Sequence, residues 1–347
     1  MPEVELLIDG VRHGGWKSVR ITRSIEQLAS TFEIELTERW TEREGPAPIR
    51  EGAACELLVA PRPGDSLEPV LRGYIDEITR EYDAQNRRMS ASGRSKTGDL
   101  VDCTAIADPG QWRDRTLAQI AVDLCAPFGI EVTDEARVLR RFASYSIQQG
   151  ETVHECLERA ARKRGVLLLS DVRGDLVLAR PQGQIIHQAL GGTLVLSGGR
   201  TGNVSERFSR YTVKGQNAGD DDTSGAAAAA VQGAADDPDV GRYRPLTIMG
   251  EHGDRLDAGT RAQWERDVRR ARSLRLRYRV QGWSHSDGLW APGQNVLVRD
   301  ARLDVDEDLL ITEATLRLDA QGTVTELSLM APEAFEVAAG VAVCPRR

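Results

Sequence analysis

His154 and Glu155 are adjacent in a segment with helical spacing, and a histidine followed by glutamate on a helix is half of a zinc-hydrolase signature. The other half is a second histidine four residues after the first, but residue 158 is glutamate, so the two imidazoles that would share a metal are absent. Cys156 lies two residues beyond His154. At about 100° per helical residue the two side chains point roughly 200° apart and form no thiolate–imidazole pair. His154 is therefore read on a solvated helix face and Cys156 in the core. The run GRSKTGD (93–99) places Lys96 and Thr97 between its glycines, whereas a phosphate-binding loop needs them after the second glycine. Ser197 in SGGR (197–200) has Val195 where a nucleophile elbow carries its first glycine, and no helical pattern follows, so a turn is expected there. The 53 acidic residues offer many carboxylate pairs. Only a separation of roughly 5–9 Å in the fold would select one for glycoside hydrolysis. No catalytic, cofactor-binding or metal-binding residue is assigned.

Charge and aromatic spacing give the stronger local signals. Eight arginines lie between Arg261 and Arg279, opposed only by Glu265 and Asp267. Within SLRLRYRVQGW, Leu274, Leu276, Tyr278 and Val280 alternate with Arg275, Arg277 and Arg279, which puts the three guanidinium groups on one face of a strand. A solvated or subunit-facing row is the leading reading, ahead of a contact with a partner or a channel lumen, and a sequence-reading DNA site ranks last. Trp283 and Trp290 flank the polar turn SHSDG and are read with the arginines as candidate anchors of a subunit interface.

The elements that must carry these residues fall into three regions. Residues 1–99 read as strands and turns: Val4, Leu6 and Ile8 alternate before Asp9-Gly10, and Phe32, Ile34 and Leu36 alternate again. From Val70 to Ser92, two strand-like runs flank DAQN (83–86). Residues 100–183 change character. Helical spacing follows Thr116 (Leu117, Ile120, Ala121, Leu124) and Thr152 (Val153, Leu157, Ala160, Ala161), with GIEV and a VLLLS/LVLAR hairpin between and after them. Helix-then-strand thus occurs twice, a weak sign of duplication. Residues 184–335 return to strands, interrupted at 215–241 by an Ala-rich stretch with six acidic and no basic residues, expected to be a mobile insertion. The strands NVLVRD, LLITEATLRLD and TVTELSLM complete this region, and residues 336–347 form a tail. The fold class is α+β, mainly β: a small barrel or sandwich, then an α/β module, then a second β domain.

At 347 residues the chain is long enough for several cores, and 40% hydrophobic with 28% charged residues describes an ordinary globular protein. A net charge of −8 argues against a general nucleic-acid binder. Four lysines among 45 cations make the positive charge almost entirely guanidinium. Cys55, Cys103, Cys125, Cys156 and Cys344 contain no C-x-x-C pair and are expected to be reduced, mostly buried thiols made in a cytoplasm. No signal peptide or membrane-spanning run is visible.

LRGYIDEITREYDAQNRRMSASGRSKTGDLVDC (71–103), TLAQIAVDLCAPFGIEV (116–132), YSIQQGETVHECLERAARKRGVLLLSDVRGDLVLAR (145–180) and GWSHSDGLWAPGQNVLVRD (282–300) with LLI (309–311) occur in an order that resembles the baseplate hub proteins of Mu-like contractile-tailed phages. The hub part of type VI secretion spike proteins is a relative of that family. The resemblance implies a homotrimer whose two similar barrels per chain make a pseudo-sixfold ring, joining a hexameric tail tube to a trimeric spike. It implies spike, tube and baseplate partners, a channel through which DNA passes without specific binding, no stable membrane insertion and no cofactor. The protein would be made in the host cytoplasm and located in the virion baseplate. A bore for DNA should not grip phosphate, so the Arg275–Arg279 row is expected to face away from the axis. Two other classes stay open: a tail-associated peptidoglycan hydrolase and a cell-wall carbohydrate-binding module.

Overall fold

The computed structural model describes residues 4–37, 49–83, 87–180, 184–214, 232–249 and 258–336. Period-two alternation builds most of it, because a strand with one buried and one wetted face must alternate apolar with polar side chains. The first lobe contains β1 (Val4–Ile8), β2 (Val11–His13), β3 (Ser18–Ser24), β4 (Thr31–Thr37), β5 (Ala54–Val59), β6 (Glu68–Tyr82) and β7 (Arg87–Ser95). The module that follows contains α1 (Gly98–Asp102), β8 (Gln111–Arg115), α2 (Leu117–Cys125), β9 (Val132–Asp134), β10 (Phe142–Ser146), α3 (Val153–Arg162), β11 (Leu167–Ser170) and β12 (Leu176–Ala179). The second lobe contains β13 (Ile185–Gly191), β14 (Val195–Gly202), β15 (Arg210–Lys214), β16 (Gln232–Asp236), β17 (Pro245–Met249), α4 (Ala258–Arg272), β18 (Leu274–Gln281), β19 (Ser284–His285), β20 (Gly288–Leu289), β21 (Asn295–Asp300), β22 (Val305–Asp319) and β23 (Gly322–Met330).

Thirteen strands form one sheet, and a six-strand pattern occurs in it twice. The first lobe runs β3-β4-β7-β6-β5-β1 and the second β14-β18-β23-β22 and then β21-β13. Leaving aside β2, β15–β17, β19 and β20, each lobe orders its strands second, third, sixth, fifth, fourth, first. The correspondence reaches single residues. Against their hairpin partners, β6 is irregular between Ile75 and Glu77, and β22 between Ile311 and Glu313. Gly52 N donates to Ile75 O and Ile75 N to Ala53 O, while Gly293 N donates to Ile311 O and Ile311 N to Gln294 O. In this alignment Asp-Ala-Gln recurs at 83–85 and 319–321. One pairing differs: β1 is antiparallel to β5, whereas β13 is parallel to β21.

The expected α+β, mainly β class holds, but among the described residues no sheet closes into a barrel. The reason is visible in β22, which is long enough to pair with β21 through 305–310 and then, past its irregularity, with β3 through 313–318. The lobes thereby share one open sheet. Two other expectations change. Residues 232–236 of the acidic stretch form β16, paired with β15, and Asp237 is 2% exposed beneath a bidentate Arg207. Residues 215–231 and 337–347 lie outside the described part. In the module, β9 is parallel to β12 and β11 antiparallel to it, so its two helix–strand units are not equivalent.

The module is built around the two capped helices. Thr116 and Thr152 each accept from the N3 backbone while Gln119 and Glu155 reach back to the cap N–H, satisfying two orphan donors per helix. Ile120, Ala121 and Leu124 meet Cys156, Leu157 and Ala160 in a common core. The module is clipped to the first lobe by Lys96, whose Nζ lies 2.6 Å from Asp175 Oδ1; Glu131 N donates to the same oxygen. Gly174 makes this approach possible: its φ is +73° and an added Cβ would lie 2.4 Å from Arg72 O. Gly174→Ala is expected to cost about 2–3 kcal/mol in denaturant unfolding. Gly129→Ala, at φ +63° with open space around it, should cost only about 1 kcal/mol.

Candidate assembly surface

The arginine row lies as the alternation requires. Leu276, Tyr278 and Val280 are buried in the second lobe's core, leaving Arg275, Arg277 and Arg279 on the opposite face. Their environments differ. Arg275 Nη2 contacts both Glu26 carboxylate oxygens at 2.9 and 3.0 Å, tying β18 to the loop after β3. Arg277 is exposed, and Arg279 is half-buried with no hydrogen-bond partner for its Nε. Residue by residue, β4 stands in the first lobe where β18 stands in the second, pairing with β7 as β18 pairs with β23. Glu33 and Glu35 occupy the places of Arg277 and Arg279, so the equivalent rows carry opposite charge.

Trp283 and Trp290 are each 1% exposed, which removes both from any surface another protomer could touch. Trp283 enters the first lobe's core beside Leu316 and donates its Nε1–H to Arg317 O at 3.0 Å. Trp290 sits in the second lobe's core, its ring 4.8 Å from that of His285. Arg62 reinforces the join between lobes through Ser284 Oγ and His285 O.

Two strand edges that the sequence reading missed lie open among the described residues. β14 ends the sheet, paired on one side only with β18. The SGGR segment expected to be a turn is extended within it. The second is the Glu77–Tyr82 half of β6: it pairs with β7, while β5 occupies only the 68–74 half of its other side. Tyr82 is 84% exposed, Val204 53% and Leu196 50%. The recurrence of Asp-Ala-Gln after two long alternating runs was the signal that could have located the repeat and, from it, these edges.

The described surface offers little for chemistry. A hollow of about 250 Å³ beside β5 and β6 is lined by Asp9, Cys55, Glu56, Arg72 and Lys96, with no imidazole among its lining residues. Burial, then Asp76, pushes the Cys55 thiol up to about 12, which keeps it protonated and unreactive. Burial likewise raises Cys125 and Cys156 to about 12. His154 is half-buried instead of solvated, and desolvation lowers its pKa. Among the described residues no three His, Cys, Asp or Glu side chains cluster to hold a metal ion, and no helix is long and apolar enough to cross a membrane.

Comparison with known proteins gives consistent matches along the chain. Residues 3–95 match the N-terminal domain of Mu phage baseplate assembly protein GpP-like proteins, 97–180 the second domain of baseplate hub protein gp44-like proteins, and 255–338 the fourth domain of GpP. Baseplate hub protein gp44 of Escherichia phage Mu is 36% identical over 346 residues, spanning 96% of this chain and 89% of that protein. The crystal structure of the 43 kDa tail protein of prophage MuSo2 from Shewanella oneidensis has a TM-score of 0.84 at 34% identity, covering 97% of this chain and 100% of the other. A tail protein from Neisseria meningitidis MC58, at 22% identity, shares the fold with a TM-score of 0.76 over 96% and 99% of the two chains.

Two measurements check these placements. Trp283→Ala should lose about 3–5 kcal/mol of unfolding free energy, whereas Arg277→Ala should stay within about 0.5 kcal/mol. In the native protein Cys103, which is exposed, should react promptly with a disulfide reagent. Cys55, Cys125 and Cys156 should react only after denaturation, as read by peptide mapping.

Proposed function

The chain belongs to the baseplate hub proteins of Mu-like phages, a structural component of the virion tail and not an enzyme, and from that membership we propose that three copies close into a ring joining the tail tube to the spike. The observation that carries the proposal is the repeated lobe. Two copies of one six-strand pattern in each chain give a trimer six similar stations, so one ring can meet a hexameric tube on one side and a trimeric spike on the other. Spike, tube and neighbouring baseplate proteins are the partners in this scheme, and synthesis takes place in the host cytoplasm before assembly.

The ring's role is mechanical. Continuous backbone hydrogen bonding from lobe to lobe resists shear, and the module clipped at Lys96–Asp175 braces the outside of the first lobe. DNA crosses the bore without specific binding. Glu33 and Glu35 stand where the second lobe carries Arg277 and Arg279, with Arg20 opposite Glu33 and Arg88 and Lys17 paired to Glu35, so a lining drawn from both lobes is mixed in sign and has no continuous basic track for a polyphosphate. The arginine row therefore need not face away from the axis for DNA to pass.

Native mass spectrometry of the purified chain is expected to give three protomers. A chain that stays monomeric at tens of micromolar, or that forms dimers only, would contradict the ring.

A further inference from the structure

We propose that the β8–β10 end of the α/β module is a docking site for an acidic polypeptide segment of another protein, received by Arg113, Arg115, Arg137 and Arg140 around the exposed side chain of Leu139. The site belongs to the module alone, so the proposal goes beyond the ring and does not depend on its closure.

Folding leaves the chain's positive charge unequally used. The arginine-dense stretch 261–279 is the conspicuous cluster in sequence, yet Arg266, Arg269, Arg270 and Arg275 each pair with a carboxylate, and Arg272 Nε donates to Ala334 O. The module differs. Residues 111–115, 134–141 and 163–164 hold seven cations against three carboxylates, in a chain of net charge −8. Two of the carboxylates are engaged: Asp114 with Arg141, and Asp134 through Oδ1, which accepts from Arg137 N. Arg113, Arg115, Arg137 and Arg140 are exposed and make no ion pair among the described residues.

Neighbouring contacts hold these four groups together. Arg164, just after α3, has its Cζ 3.6 Å from the centroid of the Phe142 ring and donates to Arg140 O and Arg141 O. Arg141 Nη1 donates to Asp114 O and Oδ2, between Arg113 and Arg115. Arg115 stands opposite Phe142 across the β8–β10 ladder. Arg140 precedes Phe142 by two residues, about 7 Å of extended chain, so the free guanidinium groups of β8 and of the loop before β10 gather at one end of the module. Crowding like charges opposes this arrangement: burial, then the neighbouring Arg140, lowers the Arg164 pKa. An anionic surface on another molecule would supply the missing opposite charge.

Leu139 decides which anion fits. It is 82% exposed and lies between Arg137 and Arg140. A polyphosphate backbone would leave its isobutyl group uncovered. A segment of Asp and Glu with one apolar residue satisfies both features, placing guanidinium–carboxylate hydrogen bonds around a single apolar contact.

The test is a fluorescein-labelled peptide of about 15 residues, Glu and Asp with one central Leu, titrated into the full chain and followed by anisotropy beside a duplex oligonucleotide of equal charge. Arg113→Ser, Arg115→Ser, Arg137→Ser and Arg140→Ser combined should weaken peptide binding about tenfold and flatten its salt dependence, four exposed pairs being lost. Leu139→Ser should weaken it about fivefold with no change in charge. Arg200→Ser, Arg242→Ser, Arg277→Ser and Arg302→Ser, which remove the same charge from exposed positions elsewhere, should leave it unchanged. Equal loss in both quadruple variants would reduce the effect to net charge and overturn the site. No peptide binding by the folded, unaltered chain would overturn it too. Tighter binding of the oligonucleotide than of the peptide, lost with the same four arginines, would overturn the occupant. Native mass on the same samples judges the ring separately.

Discussion

The rest of the structure depends on the antiparallel contact between β22 and β3. Its components are ordinary: backbone hydrogen bonds over six residue pairs, a threonine pair at 3.0 Å and apolar contacts on one face. What it does is join residues 293 positions apart in the chain, so that two lobes with the same strand order become one sheet instead of two closed bodies. Trp283 fixes the arrangement from behind, contributed by the second lobe's sequence but buried in the first lobe's core. Closing each lobe into its own barrel would have satisfied the same backbone groups. It would have left nothing to hold the lobes in a defined orientation.

A strand that changes neighbours midway needs a device at the change. In both lobes the fifteen-residue strand is irregular against its hairpin partner, at Asp76 in β6 and at Thr312 in β22. An extra residue at such a point re-aims the strand and increases its twist. In the second lobe Thr312 O then accepts from Ile25 N and Ser24 Oγ, which anchors the incoming end of β3. The Asp76 side chain is held by Arg94, which also grips Asp102, and their hydrogen bonds raise the Arg94 pKa. The turn is preserved in the first lobe even though no described strand lies beside it.

Much of the local structure was legible in the sequence because it is encoded locally. Thr116 and Thr152 mark their helix starts through side chains acting three residues away, and the alternation in SLRLRYRVQGW assigns faces whatever the strand pairs with. What could not be read depends on partners distant in the chain. SGGR has the composition of a turn, yet Ser197–Arg200 is extended because β18 holds it along one side. Trp283 and Trp290 have the residue type and polar flanks of interface anchors, but folding takes both inside. Closure of a sheet is a property of the two edge strands together, and no window of sequence contains both. The family resemblance, carried by four ordered segments, indicated the hub assignment that local motifs could not.

The central claim is that one strand pattern, present twice in the chain, becomes a single sheet through the β22–β3 joint. Hydrogen–deuterium exchange tests it most directly. The account predicts that amides of residues 18–22 and 313–318 are as strongly protected as the cores on either side and open together with them in one step. Exchange through both segments at the rate of the loops, while the rest of the sheet stays protected, would contradict it.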